Sequence, residues 1–165
     1  MLRSARFITI LCLLAIFTGC ERGAVPELVG RPAPDFTVQD SARTVSLREL
    51  RGKVVVLNFW ATWCPPCVEE TPSLVAMQKE MKGRVTVFSV SLDDSDSAYQ
   101  QFIREHGMAD TLVTVRDATK HSNTMYGTFR FPETYVIDAN GVLRRKFIGP
   151  VEWTRPEIIE YLAKL

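Results

Sequence analysis

The sequence predicts a single α/β domain, a central mixed sheet flanked by helices on both faces. Two near-continuous apolar, β-branched runs, Val54-Val55-Val56-Leu57-Asn58-Phe59-Trp60 and Val85-Thr86-Val87-Phe88-Ser89-Val90-Ser91-Leu92, have the composition of strands buried on both faces. A helix-favouring stretch lies between them, which implies a parallel pair joined by a crossover. Near the C-terminus two more strand-like runs flank Asn140-Gly141, a hairpin signal in which both turn positions call for positive φ. At 165 residues, 46% hydrophobic and 24% charged, the chain can build one core and has no room for a second full domain.

At the N-terminus, Arg3 and Arg6 precede an apolar run over 7–17 and then Thr18-Gly19-Cys20, the outline of a signal sequence. The run is shorter than the roughly 18 apolar residues of a spanning helix. Ala15-Ile16-Phe17-Thr18-Gly19-Cys20 resembles a bacterial lipobox, although Phe17 stands where leucine is usual. The expectation is a lipoprotein-type signal peptide over 1–19, a lipid-anchored tether over 20–31 starting at Cys20, and the folded domain over 32–165. An ordinary or uncleaved signal peptide is the alternative, and either keeps the domain outside the cytoplasm. On the lipobox reading Cys12 leaves with the signal and Cys20 takes the lipid, so only Cys64 and Cys67 remain free. Two cysteines this close together do not make a structural disulfide framework.

After Pro32-Ala33-Pro34-Asp35-Phe36, residues 44–47 alternate as a short strand and 47–50 suit one helical turn stopped by Gly52. Residues 66–82 favour helix, with Leu74, Met77, Gln78 and Met81 at helical spacing, Gly83 as the stop and Pro72 as a source of a kink. A helix over 97–106, a strand over 112–115, a short helix over 121–126 and strands over 133–137 and 142–148 follow. An amphipathic helix over 155–165 turns Ile158, Ile159 and Leu162 inward. The formal net charge of +1 gives no field to attract nucleic acid, and Arg144-Arg145-Lys146 reads as solvated strand positions. Asp93-Asp94-Ser95-Asp96 lacks the glycine and distal glutamate of a calcium loop and reads as a solvated loop and helix cap.

Trp63-Cys64-Pro65-Pro66-Cys67 follows a buried strand and opens a helix. The first cysteine at a helix N-cap is favoured as the thiolate, the form that attacks disulfides, and the second lies close enough to close one. Cys64 attack gives a mixed disulfide that Cys67 resolves. Pro65 and Pro66 have no N–H for the Cys64 sulfur, so the couple is expected to be more reducing than that of strong oxidants. A zinc site would need two further ligands, which His106 and His121 do not supply as a paired motif, and haem attachment would need His where Val68 stands. No cofactor or metal is expected.

Pro32-Ala33-Pro34-Asp35-Phe36, the block from Val56 through Trp60-Ala61-Thr62-Trp63-Cys64-Pro65-Pro66-Cys67, and Phe131-Pro132-Glu133-Thr134-Tyr135-Val136-Ile137-Asp138 together resemble the TlpA/ResA group of membrane-tethered, thioredoxin-like proteins. The resemblance implies a thioredoxin-like fold and a cis Pro132 facing the cysteines, with Phe131 offering its backbone to an extended substrate segment. Plain thioredoxins carry a buried aspartate where this chain has Asn58. The group often has instead a glutamate three residues after the second cysteine, here Glu70, as proton acceptor for the resolving thiol. From dipole arguments alone Glu69 and Glu70 would simply complement the helix N-terminus. Trp60 is expected in the core and Trp63 on a partner-contacting rim.

The same resemblance implies a monomeric reductant of disulfides in exported proteins, supplied with electrons by a membrane-embedded thiol reductase, with cytochrome c maturation as the usual role. The predicted location is the cell envelope, anchored to the membrane by lipid and facing the periplasm or extracytoplasmic space. Two other readings remain open. A thiol peroxidase would need Pro-x-x-x-Thr-x-x-Cys, but Thr62 lies only two residues before Cys64 and the upstream proline is missing. A non-enzymatic copper- or haem-handling chaperone would use the dithiol as a ligand.

Overall fold

The computed structural model describes residues 28–165. The signal peptide, Cys20 and most of the tether lie outside the described residues. Gly30 and Arg31, at the tether's end, exchange backbone hydrogen bonds with Leu143.

A small antiparallel pair, β1 (Thr37–Gln39) and β2 (Thr44–Ser46), is followed by a 3-10 turn over Leu47–Leu50. The main elements are then β3 (Val54–Trp60), α1 (Pro65–Glu80), β4 (Val85–Ser91), α2 (Asp96–Glu105), β5 (Val113–Arg116), α3 (His121–Met125), β6 (Glu133–Ile137), β7 (Leu143–Ile148) and α4 (Pro156–Ala163). The five-stranded sheet runs β5-β4-β3-β6-β7, parallel from β5 to β3 and antiparallel from β3 to β7. The fold is thus the mixed α/β arrangement expected from the sequence, with one strand, β1, that its short alternation did not reveal.

Every residue of β3 is buried, because this strand is central and both its faces are covered. On one face α1, α2 and α4 pack Leu74, Met77, Tyr99, Ile103, Ile158 and Leu162 with Trp60, Trp153 and both cysteines of the motif. On the other, the β1–β2 pair, the 3-10 turn and the α3 region cover an aromatic core of Phe36, Phe59, Phe88, Tyr126 and Tyr135. Gln78 fastens α1 to the sheet by donating to the Val85 carbonyl at 3.0 Å and accepting from the Val87 amide at 2.6 Å. The helix runs unbroken through Pro72.

Three local expectations are corrected. The β6–β7 hairpin forms, but only Gly141 takes positive φ (81°), and Asn140 does not. The turn is longer than a two-residue one, and the Asp138 carboxylate organises it by accepting from the amides of Asn140 and Val142. Within the acidic loop Asp93 is buried rather than solvated, while Ser95 caps α2 as expected by accepting from the Ala98 amide. Lys146 does not project freely into solvent but pairs with the buried Glu133, whose Oε2 has no hydrogen-bond partner.

Candidate active site at the start of helix α1

The site is built where β3 ends. Cys64 occupies the N-cap of α1 in extended conformation, Pro65 starts the helix, and Cys67 sits one turn in. Proline is suited to this first turn because its missing N–H would have no intrahelical acceptor there. Cys64 and Cys67 form a disulfide with Cα atoms 5.3 Å apart, and both are buried. The Cys67 and Val68 amides donate to the Cys64 carbonyl at 3.0 and 3.2 Å. The one nearby amide left by the two prolines is therefore engaged by backbone.

Asp93 holds the segment leading into Cys64. Its carboxylate accepts from the Thr62 amide at 3.1 Å, the Thr62 hydroxyl at 2.7 Å and the Ser91 hydroxyl at 2.7 Å. The aspartate-rich stretch was visible in the sequence, but nothing in its pattern distinguished the one residue that turns inward. The Thr62 hydroxyl is committed to this clamp.

Glu70 is buried and Glu69 is exposed, so the two glutamates that composition could not separate occupy different environments. The Glu70 carboxyl meets three donors, one from β3 and two from the segment after β7. Trp153 Nε1 donates to Oε1 at 2.5 Å and the Val151 amide donates to the same oxygen at 3.3 Å. Asn58 Nδ2 lies 3.5 Å from Oε2 and makes its shorter bond, 2.8 Å, to the Thr134 hydroxyl. Burial raises the carboxyl from 4.5 to about 7, against the lowering effect of the donors from Trp153, Val151 and Asn58. A group poised near neutrality can both accept and return a proton. Sequence reasoning missed Trp153, Val151 and Thr134, which come from distant parts of the chain.

The Phe131–Pro132 peptide bond is cis, as the resemblance implies, and Pro132 is buried. Phe131 stands edge-on to Trp63 with ring centroids 5.9 Å apart, bringing the segment before β6 against the residue preceding Cys64. Trp63 is 60% exposed and Trp60 only 1%, so the two tryptophans divide between rim and core as expected. Phe129, with Arg130 over its ring, adds a second exposed aromatic two residues before Phe131. Among the described residues no helix is long and apolar enough to cross a membrane.

A model described as the AhpC/TSA family matches residues 29–146. Thiol-disulfide oxidoreductase ResA of Bacillus thuringiensis is 32% identical over 139 residues, covering 83% of this chain and 78% of the relative. Thiol:disulfide interchange protein DsbE of Pseudomonas aeruginosa is 33% identical over 129 residues, covering 76% of this chain and 69% of the relative. Among solved structures, the pneumococcal exposed lipoprotein thioredoxin Etrx1 of Streptococcus pneumoniae superimposes with a TM-score of 0.67 at 25% identity, covering 80% of this chain and 100% of that one. Fold, paired cysteines and relatives agree, and the chain belongs to the AhpC/TSA family as a thioredoxin-fold thiol-disulfide oxidoreductase of the ResA and DsbE type.

Proposed function

We propose that the protein reduces disulfides in exported polypeptides, with Cys64 attacking and Cys67 resolving. The observation that carries the direction is the scarcity of donors for the Cys64 sulfur: Pro65 and Pro66 have none, and the Cys67 amide is spent on the Cys64 carbonyl. A thiolate with few hydrogen bonds is less stabilised, so the dithiol yields its electrons more readily.

In the reduced protein the Cys64 thiolate attacks a substrate disulfide, forming a mixed disulfide and releasing one substrate thiolate. Cys67 then loses its proton to the Glu70 carboxylate and attacks the Cys64 sulfur, releasing the second substrate thiolate. Two electrons pass to the substrate, and the protein is left in the Cys64–Cys67 disulfide state. Trp63, Phe131 and Pro132 form the wall along which the substrate segment lies, its backbone pairing beside Phe131.

Apocytochrome c is the proposed substrate, because its haem-binding cysteines must be reduced before haem attachment and the TlpA/ResA resemblance points to that role. Cys20 carries the lipid that holds the domain at the membrane of the cell envelope, facing the periplasm or extracytoplasmic space. A membrane-embedded thiol reductase there supplies the electrons. The Ala15-to-Cys20 motif supports the anchor, as does the description of the pneumococcal neighbour as an exposed lipoprotein.

The test is to express the Cys67→Ser variant in the native host and identify what it holds. Without the resolving thiol, Cys64 retains its partners as mixed disulfides, and apocytochrome c is expected among those released by dithiothreitol. Recovery of no disulfide-linked partner would count against the reading. A reduction potential near that of strong oxidants such as DsbA, about −120 mV, would reverse the proposed direction.

A further inference from the structure

We propose that Trp153 is a positioning residue for Glu70: its indole N–H reserves Oε1 as an acceptor and leaves Oε2 to carry the exchangeable proton. This deepens the proposed proton-acceptor role of Glu70 and rests on that reading.

The geometry is asymmetric. Oε1 faces two donors, Trp153 Nε1 at 2.5 Å and the Val151 amide at 3.3 Å. A proton on Oε1 would point into N–H groups that cannot accept it. Oε2 has only the 3.5 Å approach of the Asn58 amide, whose shorter bond goes to Thr134. The proton therefore belongs on Oε2, and the indole sets which oxygen that is.

Trp153 is itself held in place. It is fully buried, its ring stands edge-on to Phe147 with centroids 5.4 Å apart, and its backbone amide donates to Ser73 Oγ at 3.2 Å. The Ser73 hydroxyl in turn lies 2.9 Å from the Glu70 carbonyl and 3.3 Å from the Val151 carbonyl. The segment after β7 is thus stitched to α1 on either side of the carboxyl, and the indole has little freedom to withdraw.

The groups that face the carboxyl from β3 and from the segment after β7 are neutral: the Asn58 carboxamide, the Val151 amide and the Trp153 indole. Thr134 on β6, which holds that carboxamide, is neutral too. Along α1 the titratable neighbour one turn earlier is Cys67, here in its disulfide. A neutral donor stabilises the carboxylate more than the acid, so losing it should move the titration upward.

The experiment uses the full chain, oxidised and labelled for NMR. The Glu70 side-chain carboxyl is followed against pH in the wild type, in Trp153→Phe, which removes the N–H, and in Phe147→Leu, which disturbs the packing but keeps it. Trp153→Phe is expected to raise the Glu70 midpoint by about one to two pH units, while Phe147→Leu leaves it in place. In the wild type the Trp153 indole ¹⁵N–¹H signal should titrate with the Glu70 midpoint, a readout that holds even if Trp153→Phe does not fold.

An unmoved Glu70 midpoint in Trp153→Phe, or a Trp153 indole signal that ignores the Glu70 titration, overturns the assignment. The parent reading fails separately. If Glu70→Gln leaves the pH dependence of substrate reduction unchanged, Glu70 is not the proton acceptor, while the NMR titration still decides whether Trp153 positions its carboxyl.

Discussion

Asn58 on β3 and Glu70 on α1 face each other across the sheet–helix interface, Nδ2 lying 3.5 Å from Oε2. A carboxamide here gives the Glu70 carboxyl a neutral partner on β3. Asn58→Asp would place a second one opposite it, and two like charges at that separation do not both ionise readily. The pair is expected to titrate in two steps, one midpoint above that of wild-type Glu70. The variant should lose about 2–4 kcal/mol of stability near pH 8 and much less near pH 5, as measured by urea unfolding.

Glu70 also links stability to pH in the oxidised protein. Its folded-state value is raised from 4.5 to about 7, so between these values the folded state holds a proton that the unfolded state has released. The resulting stabilisation is fully present below about pH 4.5 and is lost as pH rises through about 7, amounting to about 3 kcal/mol. Urea midpoints should fall across that window in the wild type, and Glu70→Gln should remove most of this slope.

Asp93 is expected to be the principal support of the segment before Cys64. Asp93→Ala leaves the Thr62 amide, the Thr62 hydroxyl and the Ser91 hydroxyl without their shared acceptor. The cost should be about 2–4 kcal/mol, against about 1 kcal/mol for Thr62→Val, which removes a single hydrogen bond. Denaturant titration gives the energies. Hydrogen exchange should show Thr62, Trp63 and Cys64 amides opening sooner in Asp93→Ala.

Trp63 is predicted to matter for binding and little for folding. With 60% of its surface exposed, Trp63→Ala should change stability by no more than about 0.5 kcal/mol. Removing it takes away the aromatic face beside Phe131 that a polypeptide substrate would meet. Reduction of a protein disulfide should show a raised KM, whereas reduction of a small-molecule disulfide should be nearly unaffected.

The positions of β3, α1 and β4 were legible because each is long enough for its periodicity to show and each is bounded by a clear stop. Helix α1 was expected over 66–82 and runs over Pro65–Glu80, and Leu74, Met77, Gln78 and Met81, noted for their helical spacing, are all buried. β1, three residues long, escaped the reading, whereas its equally short partner β2 was read from its alternation. The Asn140 expectation failed because the Asp138 side chain, which a turn dipeptide does not describe, selects a longer turn.

By itself the sequence determined the cysteine pair, its place between a buried strand and a helix, and the loss of amide donors at Pro65 and Pro66. These are properties of adjacent residues, and local backbone geometry carries them through folding. The surroundings of Glu70 were decided only by the tertiary structure. Asn58, Thr134, Val151 and Trp153 reach the carboxyl or its neighbour from positions 12 to 83 residues away, and no local spacing encodes that meeting. Burial and donor geometry set the proton affinity of a carboxyl, and both exist only once the sheet, α1 and the segment after β7 have packed together.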